Sequence, residues 1–504
     1  MQCEIPLKIT KVVQKLEAQG FEAFLVGGCV RDLLLNTEPK DWDIATNAKP
    51  QELLRIFPEG KYENDFGTVM LPLKYIEGAE EKDWDGPNVE ITTYRVESKY
   101  SDKRHPDEIK FAKTLEKDLS RRDFTINAMA IYGIGNAKRK TNYEIVDPFK
   151  GQVDLKNKII QTVGKADERF NEDALRMMRA IRFTVTLKTQ KNGDVWIIEK
   201  NTFKAIKRNA KNINYISKER IRDELEKIIL SPRPAQGIEL LHELGLLRYI
   251  IPELEIGYNV KQSHHHYWGP YSTVYKHLLA SLEKCPSEKL EVRLAALFHD
   301  IGKPQVKHGK GETATFYNHE YVSARMVREI LERLKFKRKI IEKTTLLVKN
   351  HMFYYNVDEV GESGVRRVIR KVGLENINDL IDVRIADRLG SGVPKAVPYK
   401  LRHFKFMVEK VSHDALSVKQ LKVNGKDLMR KLKIQPGPKI GAILEILLMK
   451  VIDNSRLNDQ KKLLDLAEKL NQKDLESLKR LAEKRIEQER KEEEELIKKK
   501  YQVK

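Results

Sequence analysis

Residues 24–46, FLVGGCVRDLLLNTEPKDWDIAT, decide how the N-terminal part of this chain folds. The apolar residues at the start of this stretch predict a short buried strand, which ends at Gly27 and Gly28. Glycines at that point let backbone amides approach a polyphosphate without a side chain in the way. Arg31 follows in the first turn of a helix predicted over residues 30–35, where a guanidinium favours phosphate charge.

Two aspartates, Asp41 and Asp43, belong to a second predicted strand over residues 40–45. Because strand side chains alternate between faces, both carboxylates should project the same way. Mg²⁺ keeps several waters and takes one or two protein carboxylates plus substrate phosphates, so the pair suits a nucleoside triphosphate. A glycine turn and an acidic strand end can also be ordinary loop chemistry. Both pieces together, in this order and spacing, favour a metal-dependent nucleotidyl-transfer site.

Length and charge set the frame for the rest of the chain. A chain of 504 residues predicts a soluble protein of roughly three or four domains. Lys and Arg total 94 against 74 for Asp and Glu, a balance of +20 that fits a phosphate backbone or an anionic membrane surface. No apolar run reaches about 18 residues, and no signal peptide is recognisable at the N-terminus. We therefore expect no membrane association and a cytoplasmic location; the oligomeric state stays open.

Cysteine usage limits the metal chemistry that is available. Cys3, Cys29 and Cys285 are the three cysteines, and they lie far apart in the sequence. Neither a disulfide framework nor a cysteine zinc site can be built from them. Any metal must therefore be held by Asp, Glu or His.

The hydrophobic pattern changes near residue 150. Before it, strand-like runs alternate with short helical stretches at residues 67–73, 89–93 and 126–132. After it, apolar residues recur at helical spacing almost throughout, most clearly at residues 172–183, 218–230, 271–282, 290–298 and 440–451. Proline and glycine mark joints at residues 231–234, 390–398 and 436–438. The sequence predicts a mixed α/β part followed by a helical array.

A second cluster, RRDFTINA, occupies residues 121–128. Arg122 could hold a triphosphate, and Asp123 or Asn127 could hydrogen-bond a ribose hydroxyl. The alternative is a basic pair on the surface in front of a strand.

A third cluster lies in residues 169–183 and reads as one helix. On it, one stripe carries Asp173, Arg176, Arg179 and Arg182 at spacings of three residues. A surface ladder of ion pairs is the simpler interpretation of this spacing. The functional interpretation is that an aspartate accepts from an exocyclic amine while an arginine donates to the adjacent ring nitrogen. Cytosine and adenine offer that pair of groups, whereas uracil and guanine present the reverse pattern and would leave unmatched groups.

Five ordered segments resemble motifs of the class II tRNA nucleotidyltransferases and the bacterial poly(A) polymerases. They are residues 27–32, 40–46, 121–128, 169–183 and 217–221, all in the first half of the chain. The resemblance implies an α+β fold, with a polymerase-beta-like nucleotidyltransferase head (a mixed sheet with helices) followed by an all-α neck, an HD-type helical body and a helical tail. The implied domains are 1–150, 151–235, 236–400 and 401–504, the last with a charged end.

The resemblance also implies roles for the residues of these segments. Asp41 and Asp43 would hold Mg²⁺, while Gly27, Gly28, Arg31 and Arg122 would lie near the triphosphate of CTP or ATP. Asp173 and Arg176 would select the nucleobase in place of a nucleic-acid template, with Arg179 and Arg182 alongside. The implied activity is addition of CCA to the 3′ end of tRNA with release of pyrophosphate.

The rival interpretations use the same motifs. Poly(A) polymerases and enzymes that add only A share most of this set. Residues 94–95 and 101–106 resemble a flexible loop that full CCA-adding members carry, which favours addition of all three nucleotides. From another class, the chain could be an HD phosphohydrolase or an RNA-binding protein with an inactive head.

The second half carries a further set that resembles the HD phosphohydrolase superfamily. Its members are His277, His299, Asp300, His319, His351 and Asp387. The resemblance implies a divalent metal ion, of unknown identity, held from separate helices, and hydrolysis of a phosphoester such as an RNA 2′,3′-cyclic or terminal phosphate. A degenerate HD fold that serves only as a helical body is the alternative.

The C-terminal part resembles the tail of these enzymes in residues 423–428 and 436–441. The resemblance implies that helices there bind the tRNA elbow; a packing module with a basic surface is the alternative. Residues 477–500 are rich in Lys, Arg and Glu, which predicts a solvated helix or a frayed end.

Overall fold

The structure of the chain is a computed structural model that describes eleven stretches. They are residues 5–62, 67–72, 89–98, 108–133, 143–189, 194–262, 272–309, 314–357, 359–393, 397–412 and 418–481. The chain divides into two compact units, Met1–Glu255 with Arg333–Phe336, and Ile256–Glu332 with Lys337–Lys504. The expected division into four domains stays a prediction.

One mixed sheet organises the N-terminal part of the first unit. Among the described residues it has seven strands in the order β3-β4-β5-β2-β1-β8-β9. The strands of this part are β1 Ala23–Val26, β2 Trp42–Thr46, β3 Lys61–Tyr62, β4 Thr68–Leu71, β5 Val89–Thr93, β6 Arg95–Ser98, β7 Glu108–Phe111, β8 Ala130–Tyr132 and β9 Glu144–Val146. β2 and β5 pair in parallel and the other neighbours in the sheet are antiparallel, while β6 and β7 form a separate hairpin. The predicted α+β head is confirmed.

Helices cover the sheet and continue the chain to residue 256. They are α1 Leu7–Ala18, α2 Gly28–Leu34, α3 Pro50–Ile56, α4 Leu115–Ser120, α5 Gly151–Asn157, α6 Ala166–Glu172, α7 Leu175–Thr186, α8 Lys200–Asn209, α9 Lys218–Ile229, α10 Pro234–Glu243, α11 Leu247–Ile250 and α12 Pro252–Ile256. Leu115 and Leu119 of α4 pack with Tyr94 and with Val26 of β1 in one apolar cluster. α7 packs against α9 and α10 through an apolar face.

The second unit is helical in its described residues. Its helices are α13 Val274–Glu283, α14 Leu290–Phe298, α15 His319–Arg333, α16 Arg338–Asn350, α17 Glu362–Val372, α18 Ile377–Gly390, α19 Tyr399–Val411, α20 Gly425–Leu432, α21 Pro438–Asp453 and α22 Gln460–Asn471. α13, α14 and α18 pack together, and α14 also packs on α16. The last three helices share an apolar core centred on α21. No helix in the described residues is both long and apolar enough to cross a lipid bilayer.

Two expectations about local structure were wrong. The helix predicted over residues 172–183 is broken, because Asp173 is extended (φ −142°, ψ 104°) between α6 and α7. Its carboxylate accepts the N–H of Leu175 at 3.0 Å, the local hydrogen bond that makes aspartate favour helix starts over helix interiors. The strand predicted over residues 126–132 begins only at Ala130, since Thr125–Asn127 form a 3₁₀ turn.

The part after residue 150 also contains strand, which the helical pattern did not predict. β10 (Ile159–Ile160) and β11 (Ile197–Ile198) form a short parallel pair. Otherwise α9, α13, α14 and α21 lie within two or three residues of their predicted bounds.

A close backbone approach at Gly151 supports the turn that carries Asn127. A Cβ on Gly151 would lie 2.3 Å from the carbonyl oxygen of Thr125 and 2.9 Å from the Met129 side chain. Because that oxygen belongs to the backbone, the turn itself would have to shift.

We therefore expect Gly151→Ala to lower the free energy of unfolding by about 1 to 3 kcal/mol. The thermal unfolding midpoint measures this effect. Gly441→Ala in α21 is the control, because nothing lies within 4 Å of its Cβ position, and replacing a helical glycine by alanine is stabilising by up to about 1 kcal/mol. Equal midpoints for the two variants would contradict the packing argument.

Candidate functional site

The aspartates lie at the start of β2, between β1 and β5. Asp41 is exposed immediately before the strand, and Asp43 is half-buried within it. Burial raises the pKa of the Asp43 carboxyl, Arg122 offsets part of that rise, and the charge of Asp41 adds to it. The two like charges therefore lie close enough to interact, and a cation between them would relieve their repulsion.

Gly27 closes one wall of the same site. Its φ of +78° belongs to the left-handed region that glycine adopts freely. A Cβ there would lie 2.7 Å from Nη1 of Arg122 and 3.2 Å from Oδ2 of Asp43. Because Gly27 has no side chain, the Asp43 carboxylate and the Arg122 guanidinium can both lie next to its backbone. Carboxylate oxygens of two neighbouring aspartates are the kind of ligand that a hard metal ion such as Mg²⁺ takes.

A third carboxylate was missed in the sequence. Glu90 of β5 stands opposite Asp43 in the parallel register and is exposed. Neighbouring residues of paired strands present their side chains on the same face. The signal was available, because Glu90 is the one acid in the apolar run over residues 89–93.

A chain of hydrogen bonds joins the glycine motif to the helical neck. Arg31 pairs with Asp32 at 2.7 Å and donates through Nη1 to Oδ1 of Asn127 at 2.8 Å. Asn127 donates to Asp123 at 3.0 Å, and Asp123 accepts from Arg179 at 2.7 Å. Donors from the protein thus bind both oxygens of the buried Asp123 carboxylate. Asp123 therefore connects the segment that carries Arg31 with α7.

Asp123 is ionised in spite of its burial. Burial acts to raise its pKa, but Arg179, Asn127 and Arg176 outweigh it and hold that pKa at about 2. A buried carboxylate can stay charged only when donors surround it in this way. The sequence predicts that Asp123 could accept a hydrogen bond from a ribose hydroxyl. To do so, Asp123 would have to release one of these protein donors.

The ring of Phe183 is the centre around which three arginines gather. The guanidinium carbons of Arg31, Arg179 and Arg182 lie 5.1, 5.5 and 4.1 Å from its centroid. Such placement over an aromatic face stabilises a cation. No role for Phe183 is predicted from the sequence, since an aromatic residue in a helix is most often part of the apolar core.

Asp173 and Arg176, the residues expected to select the nucleobase, are each held by another residue of the first unit. Asp173 binds Arg220 of α9 through two contacts of 2.7 and 3.3 Å. Arg176 binds Glu172 at 2.6 Å and donates to the carbonyl of Arg121 at 3.2 Å. Arg220 and Glu172 therefore orient the two side chains, and neither was assigned a role from the sequence.

A local ladder of ion pairs accounts for part of this stripe, since Arg176 pairs with Glu172 four residues earlier, but two other arginines bind more distant partners. Arg179 pairs with Asp123, and Arg182 pairs with the buried Glu224 of α9 at 2.6 Å. These partners come from other segments, and the Arg182 side chain is only 15% exposed. All four residues of the stripe are half-buried.

The six expected HD residues converge in the second unit. His277 lies in α13, His299 and Asp300 follow α14, His319 starts α15, His351 follows α16 and Asp387 lies in α18. All six are buried. Five helices thus bring together residues that span more than a hundred positions of the chain.

Asp300 bridges two halves of this cluster. Its Oδ2 lies 3.4 Å from Nε2 of both His277 and His299, while its Oδ1 lies 3.0 Å from Nε2 of His319 and 3.6 Å from Nε2 of His351. Two groups of possible metal ligands result, and they share Asp300. Asp387 adds a carboxylate 3.4 Å from His277.

Backbone carbonyls orient three of the four imidazoles. Nδ1 of His299, His319 and His351 lies 2.9, 2.7 and 2.7 Å from the carbonyl oxygen three residues earlier. Nδ1 must then carry the proton when the ring is neutral, which leaves Nε2 as a lone pair directed at the cluster. Nε2 of His319 and Nε2 of His351 are buried and face the carboxylate of Asp300. This donor set fits divalent metal ions.

The electrostatics of the cluster also call for positive charge. Burial alone would lower the pKa of His299, but Asp300 and Asp387 outweigh it and raise that pKa to about 10. Burial lowers the pKa of His351 to about 4. A shared cation would neutralise the two carboxylates and keep the imidazoles deprotonated.

Some expected features lie outside the described residues. The segment 101–106, which resembles the loop of full CCA-adding members, is one of them. Residues 482–500 of the charged C-terminal segment are another.

Comparisons with known proteins agree with this geometry. Models of the poly A polymerase head domain, the probable RNA and SrmB-binding site of polymerase A, and the HD domain match residues 23–161, 197–256 and 274–391. The CCA-adding enzyme of Lactococcus lactis is 33% identical over 450 residues, which cover 89% of this chain and 94% of that enzyme. The chain belongs to the CCA-adding enzymes.

Two further CCA-adding enzymes extend the likeness along the chain. That of Streptococcus thermophilus is 30% identical over 92% of this chain and 97% of its own length. The crystal structure of the Bacillus stearothermophilus CCA-adding enzyme in complex with CTP is 26% identical, with a TM-score of 0.64, and covers 92% of this chain and 97% of that one. The expected order of head, helical part and HD domain is confirmed by the three family models.

Proposed function

We propose that this chain adds CCA to the 3′ end of tRNA from CTP and ATP, without a nucleic-acid template, and releases pyrophosphate. The observation that carries the proposal is the approach of Asp43, Arg122 and Gly27 to one another at the start of β2. The family relationship with enzymes of that name supports it. We also propose the division into head, neck, HD body and tail at residues 150, 235 and 400.

The head residues divide the chemistry between them. Asp41 and Asp43 would hold Mg²⁺, which supplies positive charge to the attacking 3′-hydroxyl and to the leaving pyrophosphate. Arg122, with its guanidinium against Gly27, and Arg31 bind the triphosphate and orient its α-phosphorus for in-line attack. Gly27 and Gly28 keep the approach free of side chains.

Selection of the base rests on Asp173 and Arg176. Asp173 accepts from the exocyclic amine of cytosine or adenine, and Arg176 donates to the neighbouring ring nitrogen. Arg220 holds the carboxylate of Asp173, and Glu172 holds the guanidinium of Arg176. Uracil and guanine leave a carbonyl against the carboxylate and a ring N–H against the guanidinium, and are rejected for that reason.

The first prediction about the reaction concerns Asp43. Asp43→Asn keeps the shape but removes the charge, so incorporation should fall by at least about 10³-fold while tRNA binding stays nearly unchanged. The assay uses tRNA that lacks its last three nucleotides, with labelled CTP and ATP singly and together, followed by sequencing of the products.

The same assay separates the rival functions. Three added nucleotides and a stop indicate CCA addition, a long A tract indicates a poly(A) polymerase, a single A indicates an A-adding enzyme, and no product indicates an inactive head. Glu116→Gln, which neutralises an exposed carboxylate of α4, is the control. Wild-type rates in Asp43→Asn would remove the metal assignment.

The second prediction concerns selectivity. Asp173→Ala removes the acceptor for the amine, so the preference for CTP and ATP over UTP and GTP should fall by about tenfold or more. Single-turnover incorporation of each nucleotide measures this preference. Asp223→Ala removes an exposed carboxylate of α9 and should leave the preference intact. Unchanged selectivity in Asp173→Ala would refute the assignment.

We further propose that the HD cluster is a metal-dependent phosphohydrolase acting on RNA 2′,3′-cyclic or terminal phosphates. The sharing of Asp300 between two groups of ligands favours this function over a purely structural role. Bound metal would supply an activated water for attack on phosphorus. The histidines and Asp387 fix the ligand positions from five helices, and Arg384, 2.9 Å from Asp387, supplies positive charge for a phosphate.

The third prediction tests this cluster. Asp300→Asn removes the shared ligand, so metal bound per chain should fall below about half of the wild-type value, since both ligand groups are affected. Elemental analysis of the purified protein measures it, together with hydrolysis of a 2′,3′-cyclic nucleotide. Asp379→Asn in α18 is the control, because Asp379 is buried and bound by Lys289 and Lys343 rather than by the cluster. Undiminished metal content in Asp300→Asn would rule the cluster out as the metal site.

A further inference from the structure

Asp118 of α4 is a buried carboxylate close to the nucleotide site, and neither the sequence motifs nor the proposed reaction use it. Its side chain is 1% exposed. Oδ1 accepts from Arg121 at 2.9 Å and from the backbone N–H of Arg95 at 3.4 Å. Oδ2 accepts from Nη2 of Arg122 at 3.3 Å. The two oxygens therefore have different partners.

The Arg122 guanidinium lies between two carboxylates. One of its ends contacts Asp118, and the other lies where a Cβ on Gly27 would meet it, next to Asp43. Nε of Arg122 is buried without a hydrogen bond to a described residue.

Asp118 is ionised and so can hold this cation. Burial acts to raise its pKa, but Arg121 and Arg122 outweigh it and keep that pKa below its usual range. Without the negative charge of Asp118, Asp43 would become the dominant anionic neighbour of Arg122. The guanidinium would then move toward Asp43 and occupy the place of a cation or a phosphate.

We infer that Asp118 is a positioning residue for nucleotide binding, which holds Arg122 against Gly27 and away from Asp43. This inference rests on the proposed function only in that the ligand is a nucleoside triphosphate. Because Arg122 would contact the triphosphate rather than the base, Asp118 acts equally on CTP and ATP. The alternative role is purely structural, through Arg121 and the backbone of β6.

The test is a double-mutant cycle on nucleotide affinity. Asp118→Asn should raise the Kd for CTP and for ATP in parallel by about tenfold, since one charge-assisted contact is lost. Calorimetry with Mg²⁺ and without tRNA measures both values. In an Arg122→Ala background the same substitution should have no further effect, because its target is gone. Asp118→Glu, which keeps the charge, should recover part of the affinity.

Three results would overturn the inference. They are an unchanged Kd in Asp118→Asn, an equal loss in the Arg122→Ala background, or a loss confined to one nucleotide. Failure of both Asp118→Asn and Asp118→Glu to fold, judged by thermal unfolding, would assign Asp118 a structural role instead. Asp167→Asn, which removes an exposed ion pair with Arg208 in the same unit, is the control and should leave Kd unchanged.

The outcome is separable from that of the proposed function. A wild-type protein that binds CTP but makes no CCA product would remove the proposed function, while the comparison of affinities would still decide the role of Asp118. A wild-type protein that binds neither nucleotide would overturn both.

Discussion

The first unit depends on one buried carboxylate, that of Asp123. A charged group at that depth is tolerated only because Asn127, Arg179 and the backbone N–H of Phe124 all donate to it. Since Asn127 also binds Arg31, the same set of bonds connects the glycine motif with α7. The position of Arg31 relative to α7 is therefore set by the need of the Asp123 carboxylate for hydrogen-bond donors.

The same requirement for compensating charge appears in the HD cluster. There Asp300 and Asp387 lie among four histidines. Lys303, 2.5 Å from Asp300, and Arg384, 2.9 Å from Asp387, supply part of the compensating positive charge. Carbonyl oxygens at the ends of α14 and α16 fix the imidazole rings through Nδ1. Helix ends are useful for this purpose because their last carbonyls have no partner within the helix.

Predictions from the sequence agree with the structure where a residue's position depends on its neighbours in the chain. They differ from it where the position depends on a partner that is distant in the sequence. The strand predicted over residues 40–45 begins at Trp42, so it contains Asp43 but not Asp41. The HD residues, predicted from a recognisable set of ligand types, converge in one cluster. Asp173 was placed in a helix because its spacing to Arg176 is helical, whereas the carboxylate instead starts α7 and binds Arg220. Glu90 and Asp118 went unnoticed, since their relevance depends on strand register and on burial.

The sequence by itself determined the family, the α+β head followed by helices, and the residue types of both clusters. These properties are carried by short-range spacing and by the chemistry of single side chains, which any reader of the chain can see. Only the tertiary structure decided that protein donors bind the carboxylate of Asp123. It also decided that two groups of histidines share Asp300, and that Arg122 lies between Asp118 and Asp43. The reason is physical: the ionisation and orientation of a buried group depend on partners that folding brings to it from remote parts of the chain.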